Sequence, residues 1–562
     1  MLRKTTLAIA TIFLSCTLNA QTTYLQLGYE DYHILDRLET RSGKLSNDLF
    51  LSVKPVSRKR LVSFLEKINT DSNHTELTAI DEYNIEHAIS TSGEWADDED
   101  GAIDSRRPIL KHFYKKQPEL IYVKNDNFFF AANPVLTAIG VYDKNGPKRG
   151  LFTSNRGLEA RGWIAKKVGF YTFFTDNQES PPYFVREWVD TTRAVPGADY
   201  FKRVSNTKYD YLLARGYIDI AAIKDHINIT FGYDKQYWGD GQRSLFLSDF
   251  SAPAAFLRIN TRIWKFNYQN LYLELTPDFK GYSNVAHKYA TMHHLSINAT
   301  KWLNVGIFES VIFGRKDRYE FGYMNPIILY RQVERAMGSP DNVLLGINFK
   351  AIAAKRLQLY GQLLLDEFKT KELFGGNGWW ANKVAAQIGG KYFDAFTVKN
   401  LDLQAEFNIV RPFTYTHYDS VANYTHYNQP IAHPLGADFM EVRGTATYQP
   451  IKNLYLTAEG MIYSKGSDTG SANFGNNIFD NYENRSVIPG QKRDYGYKMI
   501  TGIGLYCILA NLNASYELRE NLFIDLGVTY RRYYYNTDLM PTDAYIQTGI
   551  RLNFARRNYN FW

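Results

Sequence analysis

The strongest constraint on the fold is an alternation of apolar and polar residues near the end of the chain. In residues 545–554, one face carries Ile546, Thr548, Ile550, Leu552 and Phe554, and the other carries Gln547, Gly549, Arg551 and Asn553. Residues 522–531 repeat the pattern. Two-sided runs of about ten residues are typical of strands in a transmembrane β-barrel. A soluble β-sandwich also alternates, so the pattern must recur along the chain. The final aromatic residue is similar to the terminal signal of bacterial outer-membrane proteins.

Short basic turns and long polar segments divide residues 119–562 in a regular order. The turns are Lys166-Lys167, Lys224-Asp225-His226, Lys301-Trp302, Lys355-Arg356, Lys399-Asn400, Lys452-Asn453 and Arg519-Glu520-Asn521, with a less clear one near Trp264-Lys265. The longest polar segments are 177–210, 238–256, 314–343, 412–437 and 465–495. Short periplasmic turns and long external loops are the plan of an outer-membrane barrel. We therefore predict a mainly β protein, an antiparallel barrel of about 18 strands, with 16 as the alternative count.

Composition agrees with a barrel and excludes nucleic acid as a partner. Aromatic residues make up 15% of the chain, with 42 Tyr and 35 Phe, an excess that suits the girdles at both membrane interfaces. The formal charge of +7 falls by two, to +5, once Arg3 and Lys4 are removed with the predicted leader. That mild excess has no basic arm or patch of the kind that binds nucleic acid.

Residues 1–20 read as a signal peptide, with basic residues, a short apolar run and a cut site near Ala20. Cys16 leaves with it, unless it serves as a lipidation site, which the preceding Phe13 and Leu14 disfavour. Cys507 then stands alone, so no disulfide within the chain is expected, and its apolar strand favours inert packing.

Residues 21–118 change from a period of two to a helical period, which predicts a periplasmic helical module. Helices are expected at 29–40, ending at Gly43, within 55–68, where Ser57 is the N-cap, and at 78–89, where Thr78 and Asp81 have capping-box spacing. The acidic run Asp97-Asp98-Glu99-Asp100 could hold Ca²⁺, but it lacks EF-hand spacing and a solvated linker is favoured.

No catalytic signature is present, and neither an enzyme nor a cofactor is predicted. His293 and His294 are adjacent, so they face opposite sides of a strand and cannot share a metal ion. His417, His426 and His433 fall in one predicted external loop, where solvated side chains are favoured over a metal site.

The predicted barrel interior carries charges at Glu159, Arg161, Asp525, Arg531 and Arg551. Charge pairs that tie the walls together are favoured over a selective pore, because a barrel this wide must be filled to be closed.

The predicted external loops combine flat aromatic rings with amides, carboxylates and arginines. The candidate glycan-binding residues are Trp238, Asp240, Arg243, Trp379, Trp380, Asn477, Tyr482 and Arg485. Sugar rings offer apolar C–H faces and hydroxyl edges, which such a mixture can recognise. Ordinary loop polarity with an interfacial aromatic belt explains the same residues equally well.

Three motifs resemble the Wzi-type capsule-assembly outer-membrane proteins, including the related RemB gliding-motility proteins. They are Tyr32-His33-Ile34-Leu35-Asp36-Arg37-Leu38-Glu39 with Lys54-Pro55-Val56-Ser57-Arg58, then Trp238-Gly239-Asp240-Gly241 before Ser244-Leu245-Phe246-Leu247-Ser248, and Glu320-Phe321-Gly322-Tyr323-Met324-Asn325-Pro326. The resemblance implies a periplasmic helical bundle under an eighteen-stranded barrel, and a lectin-like role in holding exported polysaccharide.

The functional hypothesis is a non-enzymatic outer-membrane barrel that binds or organises surface polysaccharide, in capsule assembly, adhesion or gliding motility. The expected partners are membrane lipid and lipopolysaccharide, extracellular polysaccharide and other outer-membrane or periplasmic proteins. The alternatives are a structural subunit of a secretion or motility complex and a diffusion porin.

Overall fold

A computed structural model describes residues 22–70, 76–96, 104–105, 109, 112–145, 149–277, 287–315, 318–327, 330–338, 341–367, 369–536 and 538–562. The predicted signal peptide, with Cys16, and the acidic run at 97–100 lie outside the described residues. Both remain predictions.

Eighteen antiparallel strands of the described chain close into a barrel. They are β1 (Phe128–Asp143), β2 (Gly150–Ile164), β3 (Val168–Glu179), β4 (Lys208–Ile223), β5 (Ile227–Asp234), β6 (Ala254–Ile263), β7 (Phe266–Leu275), β8 (Lys288–Asn298), β9 (Leu303–Phe313), β10 (Asn342–Ala353), β11 (Leu357–Glu367), β12 (Lys383–Tyr392), β13 (Leu401–Val410), β14 (Phe439–Ile451), β15 (Leu454–Ser467), β16 (Ile503–Arg519), β17 (Leu522–Tyr535) and β18 (Asp543–Leu552). The barrel closes where β18 pairs with β1, with Tyr545 opposite Asp143 and Leu552 opposite Leu136. Closure leaves no unpaired strand edge for lipid to meet. The predicted count of eighteen is confirmed.

The predicted alternation places apolar side chains on the outer wall. Along β16, Tyr506, Ile508 and Leu512 point outwards and are 44–60% exposed, whereas Asn511 and Asn513 point inwards and are buried. The buried Cys507 belongs to the inward set. An apolar exterior around a polar interior is the arrangement that a bilayer requires.

Shorter elements decorate the barrel. Additional strands are Val53–Lys54, Ile121–Asn125, Lys202–Ser205, Tyr237–Trp238, Thr425–His426, Gln429–Pro430 and Asp538–Leu539, and 3₁₀ turns lie at Gly93–Trp95, Phe321–Met324, Ala395–Thr397, Ser420–Ala422 and Tyr482–Asn484. Helices α4 (Tyr183–Thr192), α5 (Tyr330–Met337) and α6 (Thr370–Leu373) lie in the long connections. No helix among the described residues is long and apolar enough to cross a membrane.

The N-terminal module contains the three predicted helices, α1 (Asp31–Ser42), α2 (Arg58–Thr70) and α3 (Ala79–Ser90). Gly43 ends α1 in the left-handed conformation, with φ of 72°, which glycine adopts without strain. Thr78 and Asp81 form a reciprocal capping box at α3. The expected helix boundaries are therefore close to the observed ones.

The module lies across the end of the barrel that carries the short turns. Lys59 Nζ lies 2.8 Å from Asp225 Oδ1, in the turn between β4 and β5. On another part of the wall, His87 Nε2 lies 3.1 Å from Glu517 Oε1 of β16. The module therefore covers the mouth of the barrel at the end with the short turns, which is the predicted periplasmic end.

Three further segments fold into the barrel from the other end and from the C-terminus. They are residues 235–253 (the descending loop), residues 411–438, and residues 553–562 (the luminal tail). Tyr237–Trp238 of the descending loop forms a two-residue antiparallel ladder with Val53–Lys54 of the module. Chain from both ends therefore meets inside the lumen.

The luminal tail corrects the prediction that the last strand runs to residue 554. The strand ends at Leu552, and Asn553 takes a left-handed φ of 50°, which turns the chain into the barrel. Arg243 and Arg443 both donate to the carbonyl of Asn560, and Arg531 Nε donates to the Trp562 carbonyl over 3.2 Å. The terminal aromatic is thus bound within the lumen, away from the end of the last strand.

The predicted inward-facing arginines are paired with carboxylates, whereas Glu159 accepts a hydrogen bond from the Tyr171 hydroxyl at 3.5 Å. Arg551 Nε lies 2.8 Å from Asp525 Oδ2, and Arg531 NH1 lies 2.8 Å from Asp543 Oδ2, in each case across the β17–β18 ladder. Arg161 NH2 lies 2.6 Å from Glu119 Oε1. Pairing of the walls, which was favoured over a selective pore, is what the structure shows for these arginines.

Candidate outer-face site and the filled lumen

Four of the eight predicted residues come together on the outer side. The Trp380 and Tyr482 rings are 4.7 Å apart, and the Arg485 guanidinium lies 4.4 Å from the centre of the Trp380 ring. Trp379 follows with a ring distance of 6.3 Å to Trp380, and Lys369 Nζ lies 4.5 Å from its centre. We call Trp379, Trp380, Tyr482 and Arg485 the aromatic cluster.

Neighbouring side chains decide which part of the aromatic cluster is accessible. Tyr482 is buried, and burial raises the pKa of its hydroxyl. Trp380 packs between Arg485 and the Phe413 ring, which lies 5.8 Å away edge-on. These groups build the loop. Trp379 and Trp380 are both half-buried, but the Trp379 ring contacts fewer aromatic neighbours, so we take it as the member that can stack on a sugar.

Trp238, Asp240 and Arg243 do not lie on an external surface, which corrects their assignment to an outer loop. Trp238 has no exposed surface, and its ring lies edge-on to Phe308 at 6.0 Å. Its backbone is fixed by Val53 of the module. The descending loop therefore carries all three residues into the barrel, where they are buried.

Asp240 belongs to a buried charge cluster that joins the descending loop, module and wall. Lys350 Nζ lies 3.8 Å from Asp240 Oδ1, 2.5 Å from Glu39 Oε2 and 3.4 Å from Asp36 Oδ1. Lys391 Nζ contacts the other oxygen of Asp36 at 2.7 Å. Buried charges need partners of this kind because burial removes their hydration. The arrangement indicates a structural role for Asp240.

Asn477, the eighth predicted residue, lies on the rim of an outward-facing cleft of about 200 Å³. Its Nδ2 donates to Asp480 over 3.0 Å, and its Oδ1 accepts from the Phe479 backbone over 3.2 Å. We call this cavity the outer cleft. Other residues that line it include Trp188, Thr192, Asn428, Lys465, Asn476, Phe479 and Trp562.

The outer cleft combines an apolar floor with a polar rim. Trp188 is 6% exposed and packs edge-on against Phe561, at 5.3 Å. Trp562 lies 5.9 Å from the Tyr533 ring. Rings below and amides above suit a carbohydrate, whose apolar faces and hydroxyls both need partners.

Trp188, Phe479 and Trp562 were missed at the level of sequence. Trp188 lies on the apolar face of α4 with Phe184, Val185 and Val189, a helical pattern inside the predicted loop 177–210 that could have been found. The position of Trp562 depends on the inward course of the tail, for which the sequence gives no local signal.

The three loop histidines are buried, which corrects their expected solvation. His426 Nδ1 accepts from the Thr276 backbone over 2.9 Å and Nε2 lies 2.9 Å from the Pro253 carbonyl; burial lowers the pKa of His426 to about 4. His433 Nε2 lies 2.9 Å from Glu441 Oε2, and His417 is 4% exposed. Within the described ranges, no group of three or more His, Cys, Asp or Glu residues could hold a metal ion.

His293 and His294 do face opposite sides of β8. His293 contacts the Tyr330 ring at 4.2 Å in the loop that packs on the outer wall, whereas His294 lies 5.7 Å from the luminal Trp238 ring.

The fold and the comparisons define a bacterial outer-membrane barrel. The family model for the capsule assembly protein Wzi matches residues 200–531, more than half of the chain, and the chain belongs to this family. No match was found among the curated proteins.

Among solved structures, the chain is similar to Wzi of Escherichia coli, which is described as an outer-membrane protein involved in group 1 capsule assembly and as a carbohydrate-binding β-barrel. The identity is 14%, the alignment covers 95% of this chain and 100% of that one, and the TM-score is 0.57. OprD of Pseudomonas aeruginosa matches at 9% identity over 75% of this chain and 94% of its own, with a TM-score of 0.41.

Proposed function

We propose that this protein binds surface polysaccharide at its outward end, as a non-enzymatic component of capsule assembly in the outer membrane. The outer cleft carries the proposal, because the half-buried Phe479 and Trp562, packed over the buried Trp188 side of the cleft, place aromatic surface beside amides at the end of the barrel that faces the medium. Membership of the Wzi family supports the same role. Stacking on a ring and hydrogen bonding to hydroxyls need no reacting group.

The proposal extends to the division of labour along the chain. Residues 119–562 would form the wall and the binding face, and residues 21–118 a periplasmic module that supports them from below. Lipopolysaccharide around the apolar wall and protein partners at the module are proposed on the same basis. A role in adhesion or gliding motility remains a prediction.

The filled lumen disfavours the alternative of a diffusion porin. The module, the descending loop and the luminal tail occupy the barrel from one mouth to the other, and Gly239 N donates to the Ser52 carbonyl over 2.8 Å where they meet. We expect no steady conductance from the purified protein in planar bilayers. Stable open channels would contradict this part of the proposal.

Binding is tested by incubating detergent-purified protein with polysaccharide extracted from the surface of the producing cells. We expect wild type to retain polymer. Asn477→Ala/Phe479→Ala tests the outer cleft and Trp379→Ala tests the aromatic cluster. Losing one stacked ring weakens binding by about 0.5–1.5 kcal/mol, roughly two- to tenfold per site contacted.

Phe396→Ala serves as the matched control, because Phe396 is a 72% exposed aromatic in a short turn at the opposite end. Weaker retention by the cleft variant, with Phe396→Ala unchanged, supports the outer cleft. If wild type retains no surface polymer, or if the cleft variant retains as much as wild type, the proposal fails.

A further inference from the structure

A second cavity lies inside the barrel, separate from the outer cleft. It has a volume of about 380 Å³, and its walls come from the luminal tail, the descending loop, β3 and β4, with Leu27, Gly28 and Tyr29 of the module. This volume falls within the range of small-ligand sites, about 300–1,000 Å³. We call it the luminal cavity.

The luminal cavity is lined by an excess of positive charge. Its charged residues are Arg215, Lys235, Arg243, Arg556, Arg557 and Asp249. Three of the cations have acidic neighbours: Arg557 NH1 lies 2.9 Å from Glu179, Arg243 NH2 lies 3.5 Å from Glu441, and Arg215 NH1 lies 3.6 Å from Asp234.

The other two cations carry the excess. Lys235 Nζ donates to the Asp249 backbone carbonyl over 3.0 Å, and Arg556 NH1 donates to the Ser515 hydroxyl over 3.4 Å. In the part of the chain that the structure describes, neither has a carboxylate within 4.0 Å.

Several polar atoms of the lining have no protein partner. The Nε atoms of Arg215, Arg243 and Arg556 are buried without an acceptor among the described groups, and so is the Asn558 Oδ1 without a donor. The Arg243 side chain is 9% exposed. Buried polar atoms are normally hydrogen-bonded, so unpaired donors on several residues that line one cavity point to an acceptor there.

Aromatic rings complete the luminal cavity. Tyr29, Phe173, Phe250, Phe554 and Phe561 line it. Arg215 already stacks over Phe173 at 4.3 Å, which holds the guanidinium plane. A simple inorganic anion needs the cations and has no use for the rings. A carboxylated sugar uses both, because its C–H face packs on an aromatic ring while its carboxylate takes up the Arg donors.

We propose that the luminal cavity binds a carboxylate-bearing monosaccharide unit, with Arg556 and Lys235 facing the carboxylate. The Oδ1 of Asn558 accepts from a sugar hydroxyl. The site is distinct from the outer cleft, and it deepens the proposed function by giving this family member a second, acidic-sugar site inside the barrel.

The test uses detergent-purified full-length protein, galacturonate as the probe, and titration calorimetry at low ionic strength. Neutral galactose and acetate are the comparison ligands. We expect galacturonate to bind at least tenfold more tightly than either. Equal affinity for galactose overturns the proposal, because the protein then does not recognise the carboxylate of galacturonate. Equal affinity for acetate also overturns it, because the protein then does not recognise the sugar ring.

Variants place the probe in the luminal cavity. Arg556→Gln and Lys235→Gln should each weaken galacturonate binding at least tenfold, whereas Arg156→Gln, a 67% exposed arginine paired with Asp176 on the outer wall, should leave it unchanged. Heat-modifiable mobility in gels checks that each barrel is folded. If Arg556→Gln does not fold, Lys235→Gln alone tests the site. Unchanged affinity in a folded variant rejects the site.

The outcome is separable from that of the proposed function. The cleft variant Asn477→Ala/Phe479→Ala should bind galacturonate as wild type does, because neither residue lines the luminal cavity. Loss of polymer retention with galacturonate binding intact, or the reverse, identifies which of the two sites has failed.

Discussion

Arg37 provides the most demanding test of how the helical module is attached to the barrel. Its guanidinium lies 2.7 Å from Asp81 within the module, and 2.7 Å and 2.6 Å from Asp394 and Asp402 at the end of the barrel with the short turns. The side chain is 4% exposed. The substitution Arg37→Met keeps much of the side-chain length and removes its positive charge. The three buried carboxylates then lose the guanidinium that they share.

The expected loss follows from those three contacts. Removing one member of a buried ion network costs about 3–5 kcal/mol, because the remaining charges are left uncompensated. Two neighbours soften the effect: Arg41 NH1 lies 2.6 Å from Asp394, and His33 Nε2 lies 2.9 Å from Asp402. We therefore expect the lower part of the range, about 3 kcal/mol. Such a loss increases opening of the docked module by roughly a hundredfold.

Hydrogen exchange of the α1 and α3 amides in the detergent-solubilised protein measures that opening directly, since local opening is read helix by helix. Lys67→Met is the matched control, because Lys67 is 64% exposed and pairs only at the surface with Asp48. A surface pair contributes about 0–1 kcal/mol. If Arg37→Met exchanges within threefold of Lys67→Met in both helices, the network does not hold the module and the reasoning is refuted.

Three further predictions concern other parts of the molecule. Burial lowers the pKa of His87, but the hydrogen bond and charge of Glu517 outweigh it and raise the pKa to about 9. The stabilisation of the folded module by protonated His87 is therefore complete below pH 6.5 and is lost as pH rises through 9. Hydrogen exchange of the α3 amides should be faster in His87→Gln than in wild type at pH 6, and equal in the two proteins above pH 9.5. A difference that does not change with pH would contradict this. Trp238→Ala should destabilise the folded barrel by about 3–5 kcal/mol in denaturant unfolding, against less than about 1 kcal/mol for Trp264→Ala, which removes a 69% exposed ring; similar losses in both would show that the lumen is not packed as described. Leu512→Arg, midway along β16 on the lipid side, should lower the free energy of unfolding in lipid by about 2–4 kcal/mol. Leu518→Arg, near the predicted periplasmic end of the same strand, should lower it by about 0–1 kcal/mol. Equal losses would argue against the assigned membrane depth.

The wall of the barrel could be predicted because its rules are local. Along β16 and β17 the residue type indicates whether a side chain faces lipid or the lumen, and a two-residue turn between the strands sets their register. The capping pair Thr78 and Asp81 is local in the same way. Strand count, helix positions and membrane class followed from such signals.

The contents of the lumen could not be predicted, because they depend on contacts between distant residues. Trp238 was placed outside on the strength of its loop, yet its partner in the ladder is Val53, far away in the chain. His426 reads as a loop histidine until Thr276 and Pro253 are brought beside it. A polar, Gly-containing loop has the same composition whether it extends outwards or folds inwards.

The candidate site was predicted in part. Trp379, Trp380, Tyr482 and Arg485 were chosen for their chemistry, and the structure brings all four together although the pairs lie about a hundred positions apart. Whether they bind glycan remains a prediction. The outer cleft was represented only by Asn477, because its floor depends on where Trp562 lies.

The course of residues 553–562 determines where anything joined to the chain must emerge. Those ten residues run through the lumen of the barrel and place Trp562 in the outer cleft, beside Asn477. A peptide fused after Trp562 is therefore expected to emerge at the outer cleft, on the side of the barrel opposite the short turns.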